Sequence, residues 1–469
     1  MSMKERLDDK GTSGGAKSGM AKSRFKPYPK YKDSGIDWLG EIPEHWDLRR
    51  MKYISCIQPG KSKLRKLGDI EVSFIPMEYI GEFGTINSSE TRQLNDVYEG
   101  YTFFEEGDIL VAKITPCFEN FKGAIARNLR NGIGFGTTEL YVIRPSPNVH
   151  ADFLAYMTYA AHFRQIGKVE MKGTAGQQRV PIEFIENFPC VLPPYSEQKE
   201  ISDFLKRETK RIDDLVNAKQ RLIELLKEKR AALINQAVTK GLDPNVPMKD
   251  SGIDWLGEIP EHWDVSKLKL LATVVTSNVD KKSYEGEQEV KLCNYTDVYN
   301  YEYITPDLDF MQATASPVEI NKFKLREGDV LVTKDSEDWR DIAVPAFVSA
   351  MDDEDILCGY HLAILRPKQS IVDGEFLFRS LSSSSINYQF RLSATGITRY
   401  GLSKYWLDNS LILRPPFEEQ NEIADFLREK TEEIEKLIEK IKNGLRRLKE
   451  YRSALITAAV TGKIDVRGE

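Results

Sequence analysis

Two long segments of the chain carry apolar side chains in a stripe that repeats every three or four residues. The second stripe consists of Ile434, Ile438, Ile441, Leu445, Leu448 and Leu455, and the first consists of Ile212, Val216, Ile223, Leu226 and Leu233. The first stripe is interrupted by Lys219 and by Arg230, where the second segment has Arg452. This spacing is typical of a coiled-coil seam, so we predict two long helices, at 197–241 and 417–463.

Each predicted helix has about 40 residues and a length of ~60 Å at 1.5 Å per residue. A helix this long with such a narrow apolar stripe is not stable alone in water. We therefore expect each helix to pair with the other through its stripe. The alternative is that both are ordinary amphipathic helices, each lying on its own domain.

The segments before the two helices have the pattern of mixed α/β domains. Short apolar runs such as DILVAKI, ELYVIRP, DVLVTK and LAILRP alternate with turns rich in Gly, Pro and Asn. Helical stretches such as ADFLAYMTYAAHFRQI lie between them. We predict one α/β domain at 31–196 and another at 242–416.

The chain consists of one unit of about 220 residues that occurs twice. The stretch DSGIDWLGEIPEHWD at 33–47 recurs unchanged at 250–264. GDILVAKITP at 107–116 corresponds to GDVLVTKDSE at 328–337, and LPPYSEQKEISDFL corresponds to RPPFEEQNEIADFL. The correspondence continues to the helix ends, where RAALINQAVTKGLD matches RSALITAAVTGKID. The sequence therefore predicts a duplicated fold.

The unchanged motif contains Trp38 and Trp46 and their copies Trp255 and Trp263. Large aromatic side chains between Gly and Pro turns are suited to fixing a domain onto the base of the paired helices. Both domains need this joint, whereas their middle parts, ITPCFENFKGAIARN and DSEDWRDIAVPAFVS, have diverged. The alternative is a recent duplication whose identity reflects no constraint.

Length and composition indicate an ordinary protein of at least two domains. At 469 residues the chain exceeds the size at which one core keeps growing. No apolar run approaches the ~20 residues of a membrane span, so no membrane association is expected. Residues 1–30 are predicted to be a flexible tail, and 464–469 a C-terminal tail. The five scattered cysteines argue against disulfides and zinc, which favours a cytoplasmic location.

No complete catalytic motif is present in the sequence. LPPY from Leu192 and RPPF from Arg414 resemble the Asn/Asp-Pro-Pro-Tyr/Phe motif of adenine methyltransferases, but neither Leu nor Arg can accept the required hydrogen bond. Both stretches are better interpreted as helix starts. The Gly-rich stretch at 11–18 fails the Walker A pattern. We predict no catalytic residue and no metal site, and a structural role for all five histidines.

Binding is then the remaining class of function. The net charge is −6, but residues 48–68 hold seven basic residues and no acidic one. Two loops, KGTAGQQRVP at 172–181 and SATGITRYGL at 393–402, combine Gly, Thr and Arg with Gln or Tyr. Arg can pair with guanine and Gln with adenine, and Gly lets the backbone approach a phosphate. The alternative is a solvated Gly turn with an incidental Arg.

These features define the candidate DNA-binding residues. Those of the first half are Lys61, Lys63, Arg65, Lys66, Lys113, Thr115, Lys172, Thr174, Gln177, Gln178 and Arg179. Those of the second half are Lys334, Thr395, Thr398, Arg399 and Tyr400. The acidic stretches SEDWRDIAVP and MDDEDILCGY of the second half are expected to face away from DNA or toward a partner.

The combined motifs resemble those of the specificity subunit of type I restriction–modification systems. The resemblance rests on I-x-W-[LI]-G-E-I-P-E-H-W, G-D-[IV]-L-V-[AT]-K, P-P-x-x-E-Q-x-x-I-x-x-F-L and R-x-A-L-I, and it spans the chain from about residue 31. It implies an α/β fold with two target-recognition domains related by pseudo-twofold symmetry. Each domain reads one half of a bipartite double-stranded DNA target. Two long antiparallel helices, forming a coiled coil, separate the domains and fix their distance.

The same resemblance implies partners and a division of labour. Two methyltransferase subunits hold S-adenosylmethionine, and restriction and translocase subunits use ATP and Mg. This chain itself is then non-catalytic and binds no cofactor. Two other functions stay open from the residues alone: a protein-interaction scaffold with a coiled coil, and the remnant of a fused DNA-modification enzyme.

Overall fold

The computed structural model describes residues 25–174, 176–352 and 354–468, so most of the predicted N-terminal tail lies outside the described residues. The chain divides into two compact units. Unit 1 combines the residues up to Asn217 with those from Gly444 onward, and unit 2 is Ala218–Asn443. Each long helix is thus divided between the two units. In the predicted division each helix is instead one whole segment, at 197–241 and 417–463.

Unit 1 is built from short strands and helices that precede one long helix. Its strands are β1 (Tyr31–Asp33), β2 (Glu41–Pro43), β3 (Asp47–Arg50), β4 (Ser55–Ile57), β5 (Glu71–Ile75), β6 (Thr91–Gln93), β7 (Thr102–Glu105), β8 (Ile109–Ala112), β9 (Gly123–Ile125), β10 (Ile133–Gly136), β11 (Leu140–Pro145) and β12 (Pro189–Leu192). Its helices are α1 (Met51–Ile54), α2 (Leu94–Val97), α3 (Ala151–Tyr159), α4 (Ala161–Val169), α5 (Ile182–Asn187) and the first part of α6 (Tyr195–Lys240). Short 3-10 helices lie at Ser62–Lys66, Met77–Tyr79 and Arg130–Gly132.

Unit 2 repeats this plan. Its strands are β13 (Met248–Asp250), β14 (Glu258–Pro260), β15 (Asp264–Lys267), β16 (Ala272–Thr276), β17 (Gln288–Cys293), β18 (Tyr303–Ile304), β19 (Met311–Ala315), β20 (Val330–Thr333), β21 (Asp335–Ser336), β22 (Pro345–Val348), β23 (Ile356–Cys358), β24 (Leu362–Pro367), β25 (Tyr400–Gly401) and β26 (Leu411–Arg414). Its helices are α7 (Leu268–Leu271), α8 (Tyr295–Asn300), α9 (Pro317–Phe323), α10 (Gly374–Ser382), α11 (Ser384–Ser393), α12 (Lys404–Asn409) and the first part of α13 (Phe417–Val460), with a 3-10 helix at Trp339–Asp341.

The sheets of the two units share one topology. In unit 1 the main sheet has the antiparallel order β4-β11-β8-β9, and in unit 2 the order β16-β24-β20-β22 is extended by β18. The second sheet of each unit contains a parallel pair, β5 with β10 and β17 with β23. The duplication predicted from the sequence is confirmed in the fold.

The central strand of each main sheet is buried on both faces. In β8, Ile109 and Val111 belong to one core cluster, and Leu110 and Ala112 belong to another. Successive side chains of a strand point to opposite faces, so both faces of β8 contact apolar layers. This is why the run DILVAKI is continuously apolar instead of alternating with polar residues.

A buried ion pair joins the two repeated strand motifs in each unit. Asp108, at the start of β8, accepts two hydrogen bonds of 2.7 Å from the guanidinium of Arg144, at the end of β11. In unit 2, Asp329 holds Arg366 in the same way, at 2.8 and 2.7 Å. Both aspartates are only 1% exposed. The Asp of the G-D motif and the Arg of the R-P motif are therefore one structural element.

The unchanged motif attaches each unit to the first turn of a long helix. The buried indole of Trp46 donates to Glu197 at 3.1 Å, and His45 Nε2 lies 2.8 Å from the same carboxylate. In unit 2, Glu419 accepts a hydrogen bond from the indole of Trp263 at 3.1 Å, and His262 Nε2 lies 2.8 Å from its carboxylate. The prediction that the motif is a joint is confirmed within each unit.

The Pro-Pro-x-x-Glu-Gln motif supplies the other half of the joint. Gln198, 1% exposed, donates to the Pro193 carbonyl at 2.8 Å and accepts from the His150 backbone N–H at 2.8 Å. Gln420 makes the equivalent bonds to Pro415 and Asp373, both at 2.9 Å. Helices α6 and α13 begin directly after the proline pairs, so the interpretation of these motifs as helix starts is confirmed.

A glycine in the left-handed region follows the end of each long helix and lies against the joint. A Cβ at Gly462, with φ +72°, meets Pro43 Cδ at 2.4 Å and Trp46 Cζ3 at 3.1 Å. A Cβ at Gly241, with φ +77°, meets only Glu419 Oε1 at 3.3 Å and Trp263 Cζ2 at 3.4 Å. Both positions favour glycine because of their φ angle, but only Gly462 also lacks space.

We expect Gly462→Ala to destabilise unit 1 more than Gly241→Ala destabilises unit 2. The left-handed backbone costs each variant ~1 kcal/mol, and displacing Pro43 adds about 1–3 kcal/mol to the first. Amide hydrogen exchange in the two copies of the motif, recorded as the urea concentration rises, measures the stability of each unit. Equal losses in both variants would show that the space beside Pro43 is not limiting.

The stripe residues of both long helices are buried or half-buried, as the sequence predicts. In unit 1, Ile212 and Val216 of α6 share a core cluster with Leu448 and Leu455 of α13. In unit 2, Ile434, Ile438 and Ile441 of α13 are at most 8% exposed. The remaining predicted positions, Ile223, Leu226, Leu233 and Leu445, are also buried or half-buried.

The interrupting arginines pair across the two helices. In unit 1, Arg452 lies 2.8 Å from Asp213, and in unit 2 Arg230 lies 3.4 Å from Glu435. Farther along unit 2, Gly241 at the end of α6 lies beside Glu419 in the first turn of α13. Residue numbers rise along α6 while those of its partners fall along α13, so the helices run antiparallel within the unit.

Two predicted tails are wrong where the structure describes them. Tyr28 is 3% exposed, and its ring lies 5.5 Å from that of Trp46. Phe25 is also buried, so the boundary at residue 30 is too late. Lys26 forms a β-bridge with Asp465, and Val466 is 2% exposed. Both predicted tails supply apolar side chains that cover the joint of unit 1. The polar composition of these segments hides this role in the sequence.

Candidate nucleic-acid interface

The two loops predicted to bind DNA are small hairpins at corresponding places in the two units. In unit 1, Lys172 and Arg179 exchange backbone hydrogen bonds of 2.9 and 2.8 Å. In unit 2, Thr395 and Gly401 do the same at 3.2 and 2.8 Å. Each hairpin lies in the chain between two helices, α4 and α5 or α11 and α12.

Each hairpin is anchored to the end of the central strand. Val180 donates to the Lys113 carbonyl at 2.9 Å, and Leu402 donates to the Lys334 carbonyl at 2.7 Å. In unit 1, Thr115 also accepts from the backbone N–H of Gln178 at 3.1 Å. The structure therefore brings together the strand-end and loop residues that the sequence analysis selects separately.

The backbone register shows that the two loop arginines are not equivalent. Ile114 bridges Arg179, and the corresponding residue Asp335 bridges Gly401. Counting back from these pairs, Arg399 corresponds to Gln177 and not to Arg179. Matching the two loops by their arginines is therefore off by two residues.

Arg179 forms a two-pronged pair with Glu139, the residue before β11. Its Nε and Nη2 donate to the two carboxylate oxygens at 2.9 and 2.8 Å. These hydrogen bonds lower the pKa of Glu139 and raise that of Arg179. The Nε/Nη2 edge of the guanidinium, one of the two that can pair with guanine, is thus occupied by a carboxylate in the free chain, and Nη1 donates to the Gln177 carbonyl at 3.3 Å.

Arg399 is also held by a carboxylate, but in a different arrangement. Its Nη2 lies 2.7 Å from Asp335 Oδ1 and 3.2 Å from His361 Nδ1. His361 in turn lies 2.8 Å from Asp335 Oδ1. This oxygen is buried and receives no hydrogen bond of acceptable geometry from any described residue.

The strand-end lysines are half-buried against tyrosine rings. Lys113 Nζ lies 5.2 Å from the Tyr141 ring centroid, and Lys334 Nζ lies 4.5 Å from that of Tyr360. Lys334 also donates to the Ser277 carbonyl at 2.8 Å, and burial lowers its pKa. These lysines support the hairpin base, where their charge is only partly available to a ligand.

The tips of the hairpins carry exposed side chains of different chemistry. Lys172, Thr174 and Gln177 are exposed in unit 1, and Gln178 is half-buried. Unit 2 exposes Thr395, Thr398 and Ile397, the last at 94%, with Tyr400 half-buried. The two tips therefore offer different groups to a ligand from the same scaffold.

The basic stretch at 48–68 makes its contacts elsewhere in unit 1 than at the hairpin. Lys61, Lys63 and Arg65 contact Tyr98 or Glu105, beside the second sheet of unit 1. Lys66 is exposed, with no ion pair to any described residue. Among the residues the structure describes, no hydrogen bond or ion pair joins this stretch to the hairpin. The assignment of this stretch to DNA binding therefore stays a prediction.

The sequence analysis misses the acidic and aromatic partners of the hairpins. Glu139 and His361 occupy the same position, directly before the E-L-Y-V-I-R-P and H-L-A-I-L-R-P strands, and comparing the two copies there could have revealed them. Asp335 precedes the acidic stretch that was expected to face away. Its first residue, Ser336, pairs with Tyr400 of the hairpin, and the expectation that the stretch faces away from DNA or toward a partner stays a prediction.

Other chemistry is not apparent in the part of the chain that the structure describes. It contains no group of His, Cys, Asp or Glu side chains arranged to hold a metal ion. None of its helices has the length and apolar character required to cross a membrane. Unit 2 has a cleft of about 640 Å³ lined by Arg230, Glu302 and Tyr303. Arg230 pairs with Glu302, and Tyr303 accepts a hydrogen bond from Arg379, so these polar groups already have partners within the chain.

A duplicated α/β fold with a joint and a variable hairpin in each unit matches a known family. The model of the type I restriction modification DNA specificity domain matches residues 43–225 and 260–447. Because these ranges cover most of the chain, it belongs to the type I restriction–modification DNA specificity family.

Two named relatives place the chain within this family. It is 41% identical over 164 residues to the type I restriction enzyme EcoEI specificity subunit of Escherichia coli, a match covering 34% of this chain and 27% of that protein. It is 25% identical over 316 residues to the MjaVIII specificity subunit of Methanocaldococcus jannaschii, covering 66% and 70%. The chain spans less than a third of the Escherichia coli relative.

Two solved structures share the fold. A chain from a type I R-M system, solved to explain complex assembly and conformational transition, superposes with a TM-score of 0.70 at 17% identity, covering 89% of this chain and 98% of that one. The HsdS subunit from Thermoanaerobacter tengcongensis gives 0.53 at 17% identity, covering 90% and 98%. At this identity the likeness establishes the fold.

Proposed function

We propose that this chain is a DNA sequence-specificity subunit that reads a bipartite double-stranded target, one half with each unit. The observation that carries this proposal is the pair of hairpins, anchored identically at the ends of β8 and β20 but carrying different exposed groups. A constant scaffold with variable contact residues is the arrangement expected of two modules that read different base sequences.

The hairpin chemistry fits readout in a DNA groove. Arg179 can donate two hydrogen bonds to guanine, and Gln177 or Gln178 can pair with adenine. In the second hairpin, Thr398 and Arg399 supply polar contacts, and Ile397 supplies an apolar one to a thymine methyl group. Phosphate contacts by Lys172 would position the first hairpin without specifying sequence.

The chain is proposed to be non-catalytic and to bind no cofactor. Arg414 of the methyltransferase-like motif pairs with Asp264 at 2.5 Å, and Leu192 ends β12. Methyl transfer and cleavage then belong to partners, which we propose to be two methyltransferase subunits with S-adenosylmethionine and restriction–translocase subunits with ATP and Mg. The exposed sides of α6 and α13 are available to such partners.

A gel shift of the chain with its methyltransferase partner tests this function. The motif methylated in the host genome defines one duplex, and a scrambled duplex of equal length is the comparison. At physiological salt we expect at least a thousandfold preference for the motif, and a steep loss of both complexes as salt rises. An interaction scaffold without DNA specificity would bind both duplexes equally or not at all.

Replacing Arg179 with Ala is expected to relax only the first half-site. Losing a contact to a guanine edge weakens binding by ~1–3 kcal/mol. Arg399→Ala is the matched variant and should relax only the second half-site. The methylated motif of each variant, determined across a genome, shows which positions become degenerate. Unchanged motifs and affinities would exclude these side chains from readout.

A further inference from the structure

Each hairpin arginine is held by a carboxylate, and stabilisation of the fold does not account for these two ion pairs. Arg179 is 45% exposed and Arg399 is 51% exposed, so DNA can reach both guanidinium groups. Ion pairs this exposed contribute little to stability, typically about 0–1 kcal/mol. Stability alone therefore gives little reason to keep an acid at each arginine.

The two pairs are built from non-equivalent positions. Glu139 corresponds to His361, and Asp335 corresponds to Ile114, so the acid lies on a different strand end in each unit. The arginines are also displaced by two residues in the hairpin. By contrast, inherited contacts such as Asp108 with Arg144 and Asp329 with Arg366 occupy matching positions. Each unit thus has an arginine–carboxylate pair at its hairpin, although neither member of the pair occupies the same position in both units.

We propose that Glu139 and Asp335 are specificity-determining residues that hold the hairpin arginine in the free chain and accept a hydrogen bond from an exocyclic amino group of the target bases in the complex. The inference rests on the proposed function. When the arginine turns to guanine O6 and N7, Glu139 loses its arginine partner, and Asp335 keeps His361 Nδ1, 3.0 Å from its Oδ2, but loses Arg399. The N4 amino group of cytosine or the N6 amino group of adenine can replace the arginine, because these are the amino donors of the major groove.

A wrong sequence leaves the carboxylate next to the phosphates with neither its arginine nor a base amino group as donor. A desolvated charge without a hydrogen bond is costly, so the acid opposes binding to all but the matching bases. Asp335 Oδ1 is buried against Arg399 and His361 in the free chain, so it becomes accessible to a base only when Arg399 moves away. In unit 1 both oxygens of Glu139 become available when Arg179 leaves.

The test compares Glu139→Gln with Glu183→Gln, in the complex with the methyltransferase partner. Glu183 is an exposed acid of α5, in the same unit, and makes no ion pair with any described residue. Its substitution removes the same charge without touching the arginine. Binding to the motif duplex and to the scrambled duplex is measured for both variants and for the wild type.

We expect Glu139→Gln to bind the scrambled duplex about five- to tenfold more tightly and to lose about tenfold in preference for the motif. The genomic motif should become degenerate at one or two positions of the first half-site, and Asp335→Asn should do this in the second. Duplexes with cytosine or adenine at the affected position identify the amino group. Glu183→Gln should shift both affinities equally and keep the motif.

Two results would overturn the inference, and they differ from failure of the proposed function. If the wild type prefers the motif but Glu139→Gln behaves like Glu183→Gln, the acid acts only through its charge. If Glu139→Gln weakens both complexes and hydrogen exchange at 172–180 rises, the pair only stabilises the hairpin. If the wild type itself binds both duplexes equally, the proposed function fails and the inference fails with it.

Discussion

Deleting one heptad from each long helix is expected to shorten the preferred spacer between the half-sites by about three base pairs. A heptad spans ~10 Å of helix, and duplex DNA rises ~3.4 Å per base pair. The residues to delete are 218–224 and 441–447, which lie in sequence between the ion-paired positions Asp213 and Arg230 and between Glu435 and Arg452. This prediction rests on the proposed function.

The matched deletion keeps the apolar stripe in register because seven residues restore the same helix face. It does not preserve rotation about the DNA, since three base pairs correspond to about 100° at ~10.5 base pairs per turn. Some affinity should therefore be lost. The methylated motif of the variant across a genome gives the spacer directly.

A deletion in α6 alone is the control. It removes the matching length from only one helix, so the paired stripes no longer align and activity should be lost. Full activity of the doubly deleted chain on the original spacer would contradict the prediction that the long helices set the spacer length. A motif with the same half-sites and a shorter spacer supports it.

Breaking the buried pair of the G-D and R-P motifs should cause a large loss of stability, and more in unit 2 than in unit 1. Asp329→Asn removes the negative charge and one of the two acceptor oxygens, so Arg366 is left with one neutral amide oxygen and the Lys324 carbonyl, 3.0 Å away. Removing one partner of a buried ion pair costs ~3–5 kcal/mol, and we expect about 2–4 because Arg366 is 22% exposed. After Asp108→Asn, Arg144 keeps a second carboxylate, Glu105 at 2.8 Å, so a loss of about 1–2 is expected.

Urea unfolding of both variants, with hydrogen exchange in β11 and β24 to assign the change to a unit, measures this difference. Arg366→Met combined with Asp329→Asn is a useful control, because removing both charges should recover part of the stability. Equal destabilisation by Asp108→Asn and Asp329→Asn would show that Glu105 gives no compensation.

The regular elements of this protein follow from local pattern. The three-and-four spacing predicts helices at 197–241 and 417–463, close to the observed Tyr195–Lys240 and Phe417–Val460. The repeated motif predicts a joint because it combines tryptophans with turn residues. In both cases the signal lies in short-range periodicity or in an exact repeat, which a single sequence displays directly.

The partners of these elements are set by contacts between residues far apart in the chain. Nothing near Arg179 indicates that Glu139, on another strand, occupies its guanidinium. The difference of two residues between the hairpins appears only when their backbone bonds to β8 and β20 are compared. Tyr28 is likewise buried by Trp46 in a segment whose composition is that of a tail.

The division of the helices between the units also bears on how the chain folds during synthesis. Unit 2 is one continuous stretch, Ala218–Asn443, whereas unit 1 needs residues from Gly444 onward to cover its joint. A ribosome therefore releases everything unit 2 requires before unit 1 can close around Leu455 and Val460. Until then Trp46 and Ile212 of the N-terminal half are incompletely covered. We therefore expect this half of the nascent chain to depend most on chaperones.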